Sequence, residues 1–208
     1  RAVHPSCLAL LPSTGATAYT RRAMVTVLER ASRLALDLLF PPRCAVCGAG
    51  GSVLCELCVA TLPLAEAPRC DRCWDDVRSG SRCERCASAP PAFSRVRSPY
   101  VHADAARDLV HLLKYDGLTS LAAPMAGLMI EVATQMKADV IVPVPLHGGR
   151  QRSRGYNQAA LLASHIAREI GHVVDTRAAR RIRATKPLVR SMSREERAAI
   201  VAGAFRAD

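Results

Sequence analysis

Four Cys-x-x-Cys pairs follow one another in a single stretch: Cys44/Cys47, Cys55/Cys58, Cys70/Cys73 and Cys83/Cys86. Each such turn aims two sulfurs at one point, and two turns complete a tetrahedral thiolate shell. Seven residues separate Cys47 from Cys55 and nine separate Cys73 from Cys83, so neighbouring pairs can meet across a hairpin. The pattern predicts two structural zinc sites, a double zinc ribbon. A disulfide framework would suit a small secreted chain, and no secretory segment is visible. A thioredoxin-type motif needs one pair in a βαβ setting, not four pairs in a Gly- and Pro-punctuated segment. Sequential pairing gives Cys44, Cys47, Cys55 and Cys58 to one ion and Cys70, Cys73, Cys83 and Cys86 to the other. Interleaved pairing stays open, although shorter loops cost less closure entropy. Either way the shells are closed, so the metal holds the fold and does no chemistry. Cys7 is left over and reads as a free thiol.

The chain has 208 residues, half of them hydrophobic, which allows one medium domain or two small ones. Its apolar stretches are short or carry charge, so no transmembrane helix is expected. The formal net charge is +11. Two four-thiolate zinc sites, each adding about −2, would leave roughly +7, still favouring polyanions. Nearly all the basic residues are Arg, with three Lys (Lys114, Lys137 and Lys186), a bias that genome composition alone can produce.

Residues 1–23 mix Pro, Ser, Thr and Gly without a period and read as a disordered or non-native extension, with Met24 as the natural start. From Met24 the residues Val27, Leu28, Ala31, Leu34, Ala35 and Leu38 follow helical spacing, and Phe40-Pro41-Pro42 stops the run. Ala89-Pro90-Pro91-Ala92 marks a boundary after the last cysteine pair. The expected organisation is therefore an extension at 1–23, a helix plus double ribbon at 24–88, and a second domain at 89–208. In that domain Phe93 to Val101 looks strand-like. Asp104 can cap a helix running to about Tyr115, which Gly117 ends. A second helix spans Leu121 to Met136. Asp139-Val-Ile-Val-Pro-Val-Pro145 reads as a buried parallel strand entering a rigid turn. Residues 146–156 read as a basic loop, followed by a helix from Asn157 to about Glu169 and a short strand near His172 to Val174. The run from Arg177 to Arg183 is too charged to assign. Ser193 and Glu196 have capping-box spacing, so a last helix begins there. Helices alternating with a buried strand predict an α/β domain.

The densest chemistry is Val142-Pro-Val-Pro-Leu-His147 followed by Arg150, Arg152, Arg154, Gly155, Tyr156, Asn157 and Gln158. Open α/β folds place ligands where a strand leaves the sheet at its carboxyl end. Arginines at every second position supply forked donors for phosphate oxygens. Gly155 and the amides opening the next helix add main-chain donors. These features describe a phosphate or pyrophosphate site; a solvated basic loop is the plain alternative.

The sequence also resembles the ComF/GntX family, phosphoribosyltransferase-like proteins linked to DNA uptake in competent bacteria. The matching segments are LLFPPRCAVCG at 38–48, LCELCVATLP at 54–63, PRCDRCW at 68–74, HLLKYDG at 111–117, DVIVPVPLH at 139–147, RQRSRGYNQAALLA at 150–163 and SREERAAIVAGAF at 193–205. The resemblance implies a double zinc ribbon followed by a type I phosphoribosyltransferase-like, Rossmann-like domain. It implies that Pro143, Val144 and Pro145 lie at the pyrophosphate side. Arg152, Arg154, Gly155, Asn157 and Gln158 would form a flexible loop over the site, with Lys114 near the cleft. It further implies phosphoribosyl pyrophosphate with magnesium as ligand, a cytoplasmic location and partners in the competence helicase machinery.

Such proteins carry two adjacent acids at a strand end, then a Thr-Thr-Gly-Ala-Thr-like loop that cradles the 5′-phosphate. In this sequence the adjacent aspartates Asp75 and Asp76 sit among the zinc ligands with no phosphate loop after them. The expectation is a partial transferase domain, truncated before that motif or lacking it, with doubtful activity and no catalytic residue to name. The competing expectation is a non-catalytic, zinc-stapled holder of single-stranded DNA. Against it, aromatic residues make up 4% of the chain, which leaves few stacking platforms.

Overall fold

The computed structural model describes residues 41–188 and 192–208. Cys7, the extension at 1–23 and the helix expected from Met24 lie outside the described residues.

The cysteine-rich stretch is one unit built twice. In each copy the first Cys-x-x-Cys turn is clamped by its own backbone. The Cys44 amide donates to the Ala49 carbonyl and the Gly48 amide to the Cys44 carbonyl, both at 2.8 Å. In the second copy the Cys70 amide donates to Asp75 at 2.8 Å and the Trp74 amide to Cys70 at 3.0 Å. Isolated antiparallel bridges, Arg43 with Gly50 and Arg69 with Asp76, close the two knuckles in the same way. The second pair of each copy opens a short helix, α1 (Glu56–Ala60) after Cys55 and α2 (Glu84–Ser88) after Cys83. The knuckle needs a left-handed residue four places after its first cysteine. Gly48 supplies it at φ 75°, and Trp74 adopts φ 65° at the matching place. Trp74 is held there on three sides. Its Nε1 donates to the Ser98 carbonyl at 2.7 Å, its own carbonyl accepts from Arg69 at 3.0 Å, and Arg97 lies 4.4 Å over the ring.

The first ribbon seats on the second half of the chain. Cys44, Leu54, Cys58 and Leu62 share one buried cluster with Leu109 and Leu121, while Tyr100, Met125 and Leu128 pack around it. Leu109 and Leu113 lie one turn apart on the buried stripe of α3 (Asp104–Tyr115). Fully burying a leucine is worth about 1.5–3 kcal/mol, so this seam joins the halves through a few large side chains.

After a 3₁₀ turn at Thr119–Leu121 come α4 (Ala122–Gly127) and α5 (Ile130–Gln135). The single helix expected over 121–136 is thus broken. The Leu128 amide still bonds Pro124, but that of Met129 reaches back three residues to Ala126, next to Gly127, whose backbone freedom disfavours helix. Strand β1 (Val140–Ile141) pairs in parallel with β2 (Val173–Val174), Val140 opposite Val173 and Ile141 opposite Val174. The crossover carries α6 (Gly148–Arg154) and α7 (Gln158–Ile170). Helix α7 buries Ala163, Ile166 and Ala167 at i, i+3, i+4 spacing and packs on α4, which buries Ala122 and Ala126. Last, β3 (Ala179–Arg181) pairs antiparallel with β4 (Phe205–Ala207) across α8 (Arg194–Val201).

Several expectations need correction. The run 93–101 is not a strand; its one ladder contact is the bridge of Tyr100 to Leu64. Asp104 does not cap α3: Ala103 holds the cap position and Asp104 is the first helical residue, at φ 44°. The strand at 139–145 is neither long nor buried. Two residues pair, and Val140, Val142 and Val144, on one face by strand alternation, are 42%, 40% and 64% exposed, because pairing with β2 covers an edge of the strand and leaves that face open. Residues 148–154 are helix rather than loop. His147 caps the start by accepting from the Gly149 amide, and Gly155 ends it at φ 83°. The charged run at 177–183 contains β3, a strand defined by a partner far away in sequence. By contrast the Asn157 cap, the strand at 173–174 and the Ser193–Glu196 capping box are present as read. The whole is a double ribbon followed by a mixed α/β region.

Candidate metal centres and phosphate site

The eight sulfurs gather into two groups in sequential order, Cys44, Cys47, Cys55, Cys58 and Cys70, Cys73, Cys83, Cys86, each with its sulfurs within 4.8 Å of one another. All eight are free thiols. The Sγ atoms of Cys47 and Cys55 stand 3.7 Å apart, and those of Cys73 and Cys83 stand 3.6 Å apart. A tetrahedral zinc with bonds of about 2.3 Å sets its sulfurs about 3.8 Å apart, so both groups fit the ion. Bound there, zinc would supply a closed structural cross-link with no open position for a substrate.

The knuckle backbone prepares two of these thiols. Amides of Cys47 and Cys55 turn toward Cys44, and amides of Cys73 and Cys83 toward Cys70, drawing each thiol down to about 6. Their partners on the short helices go the other way. Cys58 is pushed up to about 12, chiefly by sharing a hydrogen with Cys55 and then by burial, and Cys86 to about 12, chiefly by burial. The second centre has an outer partner that the sequence reading missed. Arg85 Nη2 donates to Cys73 Sγ at 3.2 Å and to the Asp75 carboxylate at 2.5 Å, and this acceptor raises the guanidinium above its usual value. The spacing Cys83-Glu-Arg-Cys86 carries no visible signal for that contact.

In the α/β region the predicted phosphate residues fall into two groups. Asn157 ties the proline turn to α7: its Nδ2 donates to the Val144 carbonyl and its Oδ1 accepts from the Ala159 amide, both at 3.0 Å. Pro143 is buried and Val144 exposed, so the turn is anchored at its base and open at its tip. Arg154 donates to Gln158 Oε1 at 2.5 Å and lies 5.2 Å from the Tyr115 ring. Tyr156 donates its hydroxyl to the Leu113 carbonyl, which brings the Lys114 end of α3 beside Gly155. Arg152 is exposed on α6. Arg150 stands apart from this group. It reaches the Thr185 carbonyl at 3.5 Å, beside Arg181, a residue that the sequence reading left unassigned. Among the described residues no helix is long and apolar enough to cross a membrane.

Two four-thiolate knuckles leading into a mixed α/β region define a double-zinc-ribbon protein with an appended α/β region. Residues 35–87 match the double zinc ribbon domain. Over 154 residues the chain is 30% identical to the DNA utilization protein YhgH of Salmonella typhi, covering 64% of this chain and 68% of that protein. It is 29% identical to the protein of the same name from Escherichia coli K12 over the same span. The chain belongs to the ComF/GntX family. No solved structure matches it.

Proposed function

We propose that this chain is a zinc-stapled phosphate-ligand protein acting in DNA utilisation. Its part from 89 onward is phosphoribosyltransferase-like, and it takes phosphoribosyl pyrophosphate with magnesium at the turn 143–145. The two-way bracket of Asn157 carries this reading, because it fixes the proline turn, open at Val144, against the first residues of α7. Gly155 at φ 83° sets the bend between α6 and α7; Arg154 stands beside it over Tyr115, the Tyr156 bond brings the Lys114 end of α3 close, and Arg152 folds back toward Gly148 at the start of α6. Such a constellation neutralises and positions a diphosphate rather than supplying a base or nucleophile. Magnesium, when bound with the ligand, would supply further charge neutralisation. The zinc ribbon, over 24–88 together with its leading segment, acts as scaffold. The name of the relatives and the basic charge support a role in DNA utilisation; a cytoplasmic place next to the DNA-uptake machinery is part of this proposal. The test is binding of phosphoribosyl pyrophosphate with magnesium by calorimetry. Binding that vanishes in Arg152→Ala or Arg154→Ala supports the reading, and wild-type protein that takes no ligand sinks it.

A second reading rests on the second ribbon, where Arg72, Arg82, Arg95 and Arg97 line one recess. Such a face suits the backbone of single-stranded DNA. Trp74 is already covered by Arg97, so stacking adds little. Binding there would show a steep salt slope, no magnesium requirement, and loss in Arg82→Ala with Arg95→Ala.

A further inference from the structure

Helix α5 buries none of its residues completely. Val132 and Ala133 stay half-buried, as does Met136 just past its end. Two adjoining recesses run along these side chains. The first, of about 270 Å³, lies among Tyr100, Val110, Met125 and Leu128; its deepest members, Leu62 and Leu109, belong to the buried cluster that seats the first ribbon. The second, of about 220 Å³, continues over Val132, Met136, Ile141, Ile166 and Ile170. Arg97, Pro99 and Met129 line both, so the two form one groove from the first ribbon to β1.

The polar members of this groove are already engaged. Arg97 donates to the Asp71 and Val96 carbonyls, both at 2.8 Å, and covers Trp74. Ser98 donates to the Tyr100 carbonyl at 2.7 Å, and His172 Nδ1 lies 3.0 Å from the Ile170 carbonyl. Among the described residues no carboxylate lines the groove. Its remaining demand is for apolar cover, worth about 25 cal/mol per Å² of apolar surface removed from water. Met125, Met129, Val132 and Met136 follow one another at steps of four, three and four residues, the spacing of a helical stripe. Three of the chain's five methionines therefore line the groove. Methionine is unbranched and polarisable, so it moulds to an irregular apolar partner.

A matching stripe lies in the chain itself. Val27, Ala31, Leu34 and Leu38 repeat the same steps, flanked by Leu28 and Ala35, while Glu29, Arg30, Arg33 and Asp37 fall off the stripe. The helix expected over 24–40 is about 25 Å long. It meets the described fold at Pro41 and Pro42, where the Pro42 carbonyl accepts from the Gly51 amide at 2.9 Å. Two residues on, Cys44 shares the buried cluster with Leu62 and Leu109, the inner wall of the groove. Residues 35–40 also fall within the match to the double zinc ribbon domain, so the end of the stripe belongs to the domain that borders the groove. A segment tethered so closely meets the groove at an effective concentration on the order of millimolar, which favours it over a second copy of the chain.

We propose that the apolar groove between the first ribbon, α5 and α7 is the docking surface for residues 24–40 of the same chain, with the stripe Val27, Ala31, Leu34 and Leu38 laid on Met125, Met129 and Met136. The segment then ties the first ribbon to the α/β region on a second side, next to the Leu109 seam. This holds whether or not any ligand binds at the turn 143–145.

The experiment is hydrogen exchange read by mass spectrometry on the full zinc-loaded chain, with zinc content as the folding control. It compares wild type, Leu28→Glu with Leu34→Glu, Met129→Gln, and Arg30→Ala as an off-stripe control. In wild type the amides of 27–38 and those of α5 should both be protected. Leu28→Glu with Leu34→Glu should speed exchange in α5 about tenfold or more while α3 and both zinc ions are unaffected. Met129→Gln should speed exchange in 27–38 severalfold, and Arg30→Ala should change neither. If the double variant loses zinc, Met129→Gln decides, because it alters one half-buried side chain on the groove. Unchanged exchange in α5 of the folded double variant overturns the proposal. So does free-chain exchange of 27–38 in wild type. Protection of α5 that falls on dilution, with a dimer seen by sedimentation, assigns the groove to a second copy and overturns it as well.

Discussion

Asn157 donates from Nδ2 to the Val144 carbonyl and accepts at Oδ1 from the Ala159 amide, each at 3.0 Å. One side chain therefore caps a helix and pins the turn before it. The two roles separate by substitution. Asn157→Asp keeps the cap and loses the donor; Asn157→Ala loses both. Urea unfolding should show Asn157→Ala less stable than Asn157→Asp by about 1 kcal/mol, the usual worth of a cap. Both variants should bind phosphoribosyl pyrophosphate more weakly than wild type. Equal stability of the two would show that the cap contributes nothing.

The two zinc centres should differ in reach. Cys58 shares a buried cluster with Leu109 and Leu121, whereas the four ligands of the second centre lie outside that cluster. Wild type should carry two zinc ions per chain by elemental analysis. Cys58→Ser should strip hydrogen-exchange protection from α3 as well as from its own ribbon. Cys86→Ser should lose one zinc while α3 stays protected. Loss of α3 protection in both would show a single cooperative unit.

Arg85 should act on the second centre alone. Outer partners of metal ligands are worth about 10–100-fold in metal affinity. Arg85→Ala removes the donor to Cys73 and frees Asp75, so the second zinc should dissociate about tenfold more readily in a chelator competition. The first zinc should be unaffected.

Zinc uptake should release protons, with a slope that changes near pH 6. Zinc takes thiolates, so its affinity falls with pH. Cys58 and Cys86, pushed up to about 12, are protonated at neutral pH and must each release a proton. Cys44 and Cys70, drawn down to about 6, are already thiolates at neutral pH. Their contribution is present above that value and is lost as the pH falls through it. Competition titrations from about pH 5 to about pH 8 should therefore steepen below about 6. A constant slope would contradict the low values of Cys44 and Cys70.

What the sequence by itself determined were features written within a few residues of one another. The cysteine pairs, the Asn157 cap and the Ser193–Glu196 capping box depend on spacing alone, and each stands where the spacing put it. Even within that range, Gly148, Gly149 and three arginines disguised α6 as a loop, because its helix is held by the His147 cap and the left-handed stop at Gly155. Tertiary structure decided what depends on distant partners. Apolar spacing at 139–145 could not reveal how much of it another strand would cover. Nothing local in the run 177–183 says that Arg181 turns inward, because its direction is set by pairing with Phe205. The seating of the first ribbon on Leu109 and Leu121 is of the same kind, since burial belongs to the surface a side chain meets and not to the side chain alone.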